Sequence, residues 1–99
     1  MNHTPNFLKP ANVSQSITTS TGASAAAANA FGIGTHCIRV VATTNAWVMI
    51  APGSPVAAVG AGVYLPANVP EYFSVAPGAS IAAIADAGAG KVYVAEMTR

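Results

Sequence analysis

The chain reads as an all-β protein: a small antiparallel β-sandwich or jelly-roll-like barrel preceded by an extended N-terminal arm. Two observations carry that reading. The large aliphatic residues are 11 Val and 6 Ile against 2 Leu, with 8 Thr beside them. β-branched side chains are stiff and pack well on a pleated sheet, whereas helices favour Leu. From Thr35 onward, short apolar segments recur at roughly ten-residue spacing with turn residues between them, the pattern of a sandwich or barrel. The 22 Ala are the apparent counter-signal, but most sit beside Gly, Pro or β-branched residues, where no helix of useful length forms.

Residues 1–34 have little pattern and are read as the arm. Pro5 and Pro10 stiffen an extended start. Seven of the eleven residues from Ser14 to Ser24 are Ser or Thr, and a further strand is placed near Val13 to Thr18. Ala25 to Ala28 has the composition of one helical turn, but the glycines around it leave such a turn marginal alone. An arm of this kind is ordered only where something holds it, most simply a neighbouring subunit. Deleting residues 2–20 is therefore expected to leave a folded β domain with weakened attachment.

Residues 35–99 are read as the β-sandwich domain. Thr35 to Thr43 alternates Ile38, Val40 and Ala42 on one face with Cys37, Arg39 and Val41 on the other. Thr44 and Asn45 turn the chain into the short apolar strand Ala46 to Ile50. Val56 to Leu65 is a strand interrupted by Gly60 and Gly62, which indicate a bulge or a close backbone approach. Pro66 to Pro70 is a turn, and Glu71 to Val75 the next strand. Pro77-Gly78 fits a type II turn, proline presetting the first central angle and glycine accepting positive φ at the second. Ser80 to Ala85 alternates less cleanly. Ala87 to Gly90 is expected as a hairpin loop before the closing strand Lys91 to Met97.

Charge is sparse. Only Lys9, Arg39, Glu71, Asp86, Lys91, Glu96 and Arg99 are formally charged, where a soluble domain carries about a quarter of its residues charged. A small domain has a large surface for its volume, so much of this exterior is Ala, Gly, Ser, Thr, Asn and aliphatic groups. Such a surface is sticky unless a partner covers it, which points to a piece of an assembly. Four basic residues and a net charge of +1 argue against nucleic-acid binding, which needs clustered Lys and Arg. Cys37 is the one cysteine; it excludes an intrachain disulfide and suits a reducing cytoplasm. The polar, proline-broken start MNHTPNFLKP does not read as a signal peptide. No stretch offers about 20 unbroken apolar residues, so no membrane span is expected.

Candidate chemistry is thin. Gly90-Lys91 lacks both the earlier glycine and the following Ser or Thr of a phosphate loop. Gly32-Ile33-Gly34 and Gly60-Ala61-Gly62 are followed by no helix, so neither is a dinucleotide fingerprint. His36 and Cys37 are adjacent, which on a strand sends them to opposite faces and away from a shared metal. There is no Gly-x-Ser-x-Gly elbow, and Glu71, Asp86 and Glu96 read as solvated edge or turn residues. The Asn-x-Ser/Thr matches at Asn2 and Asn12 read as chance matches. No enzymatic activity, metal or cofactor is expected. Trp47, Tyr64, Tyr72 and Tyr93 are the residues for a sugar-stacking platform. The competing expectation is that Trp47 and Phe73 fill the core while the tyrosines keep their hydroxyls at rims or interfaces.

The segments RVVATTNAWVMIAPGSPVA, YLPANVPEYFSVAPGASIAAI and GAGKVYVAEM, within residues 38–97, together resemble small structural proteins of tailed bacteriophage virions, of the head decoration (cement) type. The resemblance implies no catalytic residues. It implies a homo-oligomer, with a trimer favoured by lattice symmetry and analogy, bound to the major capsid protein or other virion proteins. The location implied is the outer capsid surface, after synthesis in the host cytoplasm. The alternatives are another repeated virion component (head–tail connector, tail or fibre-base protein) or a virion-surface carbohydrate-binding module. The residues expected to meet partners are Phe7, Leu8, Val13, Ile17, Phe31, Trp47, Tyr64 and Tyr72.

Overall fold

Eight strands and no helix occur among residues 9–98, the part of the chain described by the computed structural model. They are β1 (Lys9–Thr19), β2 (Ala25–Ala26), β3 (Cys37–Ala42), β4 (Ala46–Ala51), β5 (Val63–Leu65), β6 (Glu71–Ser74), β7 (Ser80–Ala85) and β8 (Gly90–Thr98). Two four-stranded antiparallel sheets result, in the orders β1-β8-β3-β6 and β2-β7-β4-β5. The pairing is nested. The first strand pairs with the eighth, the second with the seventh, the third with the sixth and the fourth with the fifth. This is one long hairpin rolled into two layers, the jelly-roll arrangement. Only β4 and β5 are joined as a hairpin within one sheet; every other connection crosses between the layers.

The core follows from the alternation on β3. Ile38, Val40 and Ala42 are fully buried, while Cys37, Arg39 and Val41 are partly exposed on the opposite face. Register then fixes β8, where Val92, Val94 and Glu96 point inward opposite them. The facing layer contributes Ala46, Val48, Leu65, Ile81 and Ala83, all without exposed surface. Each such aliphatic side chain contributes about 1.5–3 kcal/mol of transfer free energy, less for Ala.

The uneven pattern of Ser80–Ala85 has a physical cause. All six residues of β7 are buried, because its second face is covered too. Outside the sheet, Ala82 and Ile84 pack with Ala57, Trp47 and Met49 in a small satellite core. The lid is the β4–β5 loop, which is anchored where the Ala57 N–H donates to Ser24 Oγ at 2.9 Å. A strand buried on both faces has no reason to alternate.

Several expectations need correction. The division at residue 34 does not separate an arm from the sandwich. β1 pairs with β8 from Lys9 to Thr19, and Ile17 and Phe31 are core residues at 2% and 3% exposure. The strand expected near Val13 to Thr18 is present and longer, from Lys9 to Thr19, an edge strand whose outward side faces water. Inward, Thr19 is buried and its Oγ1 accepts the Gly90 N–H at 3.1 Å. Ala25–Ala26 pairs with Ala83 and Ala82 as β2 rather than forming a helical turn. Only Val63–Leu65 of the expected strand 56–65 is extended; Gly60 and Gly62 take φ of 85° and 84° and fold the rest into the lid. In place of the hairpin loop expected at residues 87–90, residues 87–89 link β7 in one sheet to β8 in the other, and Gly90 already belongs to β8. The type II turn is as the sequence reads: the Ala79 N–H donates to the Ala76 carbonyl at 3.1 Å, with Gly78 at φ 81°.

Candidate functional site

The four aromatic residues of the supposed platform lie on opposite sides of the sandwich. Trp47 and Tyr64 are paired across β4 and β5, ring centroids 5.1 Å apart and tilted by 58°. Tyr72 and Tyr93 lie on the outward side of β6 and β8. Trp47 is not in the central core. It packs in the satellite core and donates its indole N–H to Asp86 Oδ1 at 2.8 Å. Phe73 does pack against the central core, as expected.

The remaining interaction residues divide. Phe7 and Leu8 lie outside the described residues. Ile17 and Phe31 are core and present nothing to a partner. Val13, Tyr64 and Tyr72 are exposed at 50%, 39% and 56%. Sequence reading missed the larger signal. Nine large apolar side chains are exposed among the described residues, and five of them come from one stretch: Val56, Val59, Val63, Tyr64 and Val69. That stretch runs through the lid, the edge strand β5 and the turn before β6. Its apolar composition resembled core strand, and only the positive-φ glycines reveal that it turns outward.

The opposite face, on β1-β8-β3-β6, has a different character. Its cross-strand register places Ser14, Ala95, Arg39 and Tyr72 in one row and Ser16, Tyr93 and Val41 in the next. The small Ala95 side chain leaves a shallow depression of ≈ 410 Å³ bordered by Arg39, Tyr93, Ser14 and Ser16. Cys37 shares this face, and burial pushes its thiol pKa up.

At one end of the sandwich the inward Glu96 is buried and takes two hydrogen bonds on Oε1, from the Gly32 N–H at 3.2 Å and from the Thr35 hydroxyl. These fasten the β2–β3 connection over the core. The other end is closed by threonine: Thr44 Oγ1 donates to the Gly88 carbonyl at 2.9 Å, and Thr43 Oγ1 accepts the Lys91 N–H at 2.9 Å. His36 is exposed. Among the described residues no group of three His, Cys, Asp or Glu side chains is placed to hold a metal ion, and no helix is long and apolar enough to cross a membrane.

Comparison with protein-family models, with curated proteins and with solved structures finds no match to this chain. The jelly roll itself serves viral shells, lectins and cupins, so the topology alone selects no function.

Proposed function

We propose that the chain is a capsid decoration (cement) protein of a tailed bacteriophage, a homo-oligomer, favoured as a trimer, that binds the assembled head and stabilises it. The observation that supports this reading is the apolar stretch Val56, Val59, Val63, Tyr64 and Val69, 39–71% exposed on a chain with seven formal charges. A single soluble copy gains nothing from five large apolar groups in water; each becomes favourable once a partner covers it. The ordered resemblance across residues 38–97 supplies the kind of partner, a repeated virion surface. Many modest contacts made together by an oligomer sum to near-permanent attachment. Binding only the assembled shell then stabilises that shell by mass action.

The test is attachment to isolated heads. The protein should sediment as an oligomer, bind heads in hundreds of copies, and raise the temperature at which they release genome. Val56→Asp with Val59→Asp should abolish binding while the circular dichroism of the sandwich is unchanged. A monomer without affinity for heads, or a copy number set by a single ring per particle, would sink the decoration reading; the latter would favour a head–tail connector.

A further inference from the structure

The face of β1-β8-β3-β6 holds a feature that virion attachment does not use. Arg39 is partly buried, yet none of its outward neighbours in register carries a carboxylate. They are Ala95 on β8, Tyr72 on β6, and Cys37 and Val41 on β3. Glu71 and Glu96 sit opposite the inward residues Val40 and Ile38, and Asp86 holds Trp47. Lys91 lies on the same outward side of β8, four residues from Ala95 and so about 13 Å along the strand. Its Nζ donates only a long 3.3 Å bond to Thr18 Oγ1. Among the side chains described on this face, two are cationic and none is anionic.

The cations are joined by a surface suited to one kind of ligand. Tyr93 stands between Ala95 and Lys91, half-exposed. Its ring is an apolar plate with a polar tip. Ser14 and Ser16 add hydroxyls along the β1 side. Beside the depression β1 bulges: four residues separate Pro10 from Ser14 where two separate Met97 from Ala95. Bulges release backbone groups from the ladder and occur preferentially beside binding sites.

We propose that this face binds an acidic oligosaccharide lying along β8, with a sugar carboxylate on Arg39, a pyranose ring on Tyr93 and a second acidic group toward Lys91. The planar guanidinium fork matches a carboxylate in two parallel hydrogen bonds. The tyrosine plate suits the C–H face of a sugar ring, and the serines suit its hydroxyls. A shallow, open trough accepts an extended chain, whereas compact apolar ligands need enclosed pockets. Two cations are too few for the phosphate run of a nucleic acid. The inference stands on this face alone and does not depend on the virion reading.

Titration followed by amide chemical shifts decides it, using tetramers of galacturonate, mannuronate and sialic acid, the methyl ester of whichever of them binds, a single-stranded oligonucleotide and sodium sulfate. At least one acidic tetramer should bind and shift Ser14, Arg39, Tyr93 and Ala95. The methyl ester should bind about tenfold more weakly or worse, as loss of a charged hydrogen bond requires. Arg39→Gln and Tyr93→Ala should each weaken binding while the remaining spectrum is retained. The proposal fails if no acidic tetramer binds. It also fails if ester and acid bind alike, if sulfate reproduces the full pattern of shifts, or if the oligonucleotide binds more tightly. Should Arg39→Gln not fold, the comparison of ester with acid on the unaltered protein decides alone.

Discussion

Glu96 on β8 accepts the backbone N–H of Gly32 at 3.2 Å, tying together residues 64 apart in the chain at one end of the sandwich. The same oxygen accepts the Thr35 hydroxyl. Glu96→Ala should lower unfolding free energy by about 1–3 kcal/mol, because buried donors lose their acceptor. Glu96→Gln keeps an acceptor at the same reach and should cost less. Urea unfolding midpoints of the two variants provide the comparison; equal losses would mean that an amide oxygen does not replace the carboxylate as the acceptor.

Two glycines with nearly the same φ should respond differently to alanine. Gly62 has φ 84°, and a Cβ there would lie 2.3 Å from the Val48 carbonyl oxygen, against backbone. Gly78 has φ 81° with nothing within 4 Å of its would-be Cβ. Gly78→Ala should cost about 1–2 kcal/mol, the left-handed backbone penalty alone. Gly62→Ala adds a clash that only movement of the lid or of β4 relieves, so it should lower the thermal midpoint well below that of Gly78→Ala. Equal midpoints would contradict the close approach.

Cys37 should be slow to alkylate. Burial raises its thiol pKa from the ordinary value of 9.0, so the reactive thiolate is scarcer at neutral pH than on an unfolded chain. Iodoacetamide at pH 7.5 should modify the folded protein more slowly than the urea-unfolded one. The linked effect on stability has a definite sign. The folded state holds this proton more tightly, so the contribution is fully present below pH 9.0, the unfolded value, and is lost as pH rises through the folded one. Cys37→Ala should remove that alkaline slope.

Truncation separates the expected arm from the observed strand. Removing residues 1–20 deletes β1, takes Ile17 and Thr19 from the interior and opens the edge of β8. Loss of cooperative unfolding and aggregation on heating are the expected results, in contrast to the folded remainder that the Ser/Thr-rich composition implied. A truncated chain with an unchanged thermal midpoint would show that β1 adds nothing to the sandwich.

The strands with one wet face were legible as sequence. Ile38, Val40 and Ala42 alternate with Cys37, Arg39 and Val41, and the fold keeps that alternation. β1 was faint because it offers one aliphatic inward residue, Ile17, among hydroxyls. The lid was misread because Val56 and Val59 look like core strand until Gly60 and Gly62 are seen to take positive φ. The trough at Arg39 was not legible at all. Ser14, Arg39 and Ala95 meet only because β8 inserts between β1 and β3, and no local pattern encodes that insertion.

The same insertion constrains how the molecule can be made. Until β8 arrives, β1 has no neighbour and β3 has only β6, so one layer exists as two separate pieces. The last of the eight strands must therefore be made before this sheet can close. With pairings this distant, closure is expected to be slow. Until that closure the apolar inner faces of both pieces stand open, so the stage before β8 docks is when copies of the chain can mispair.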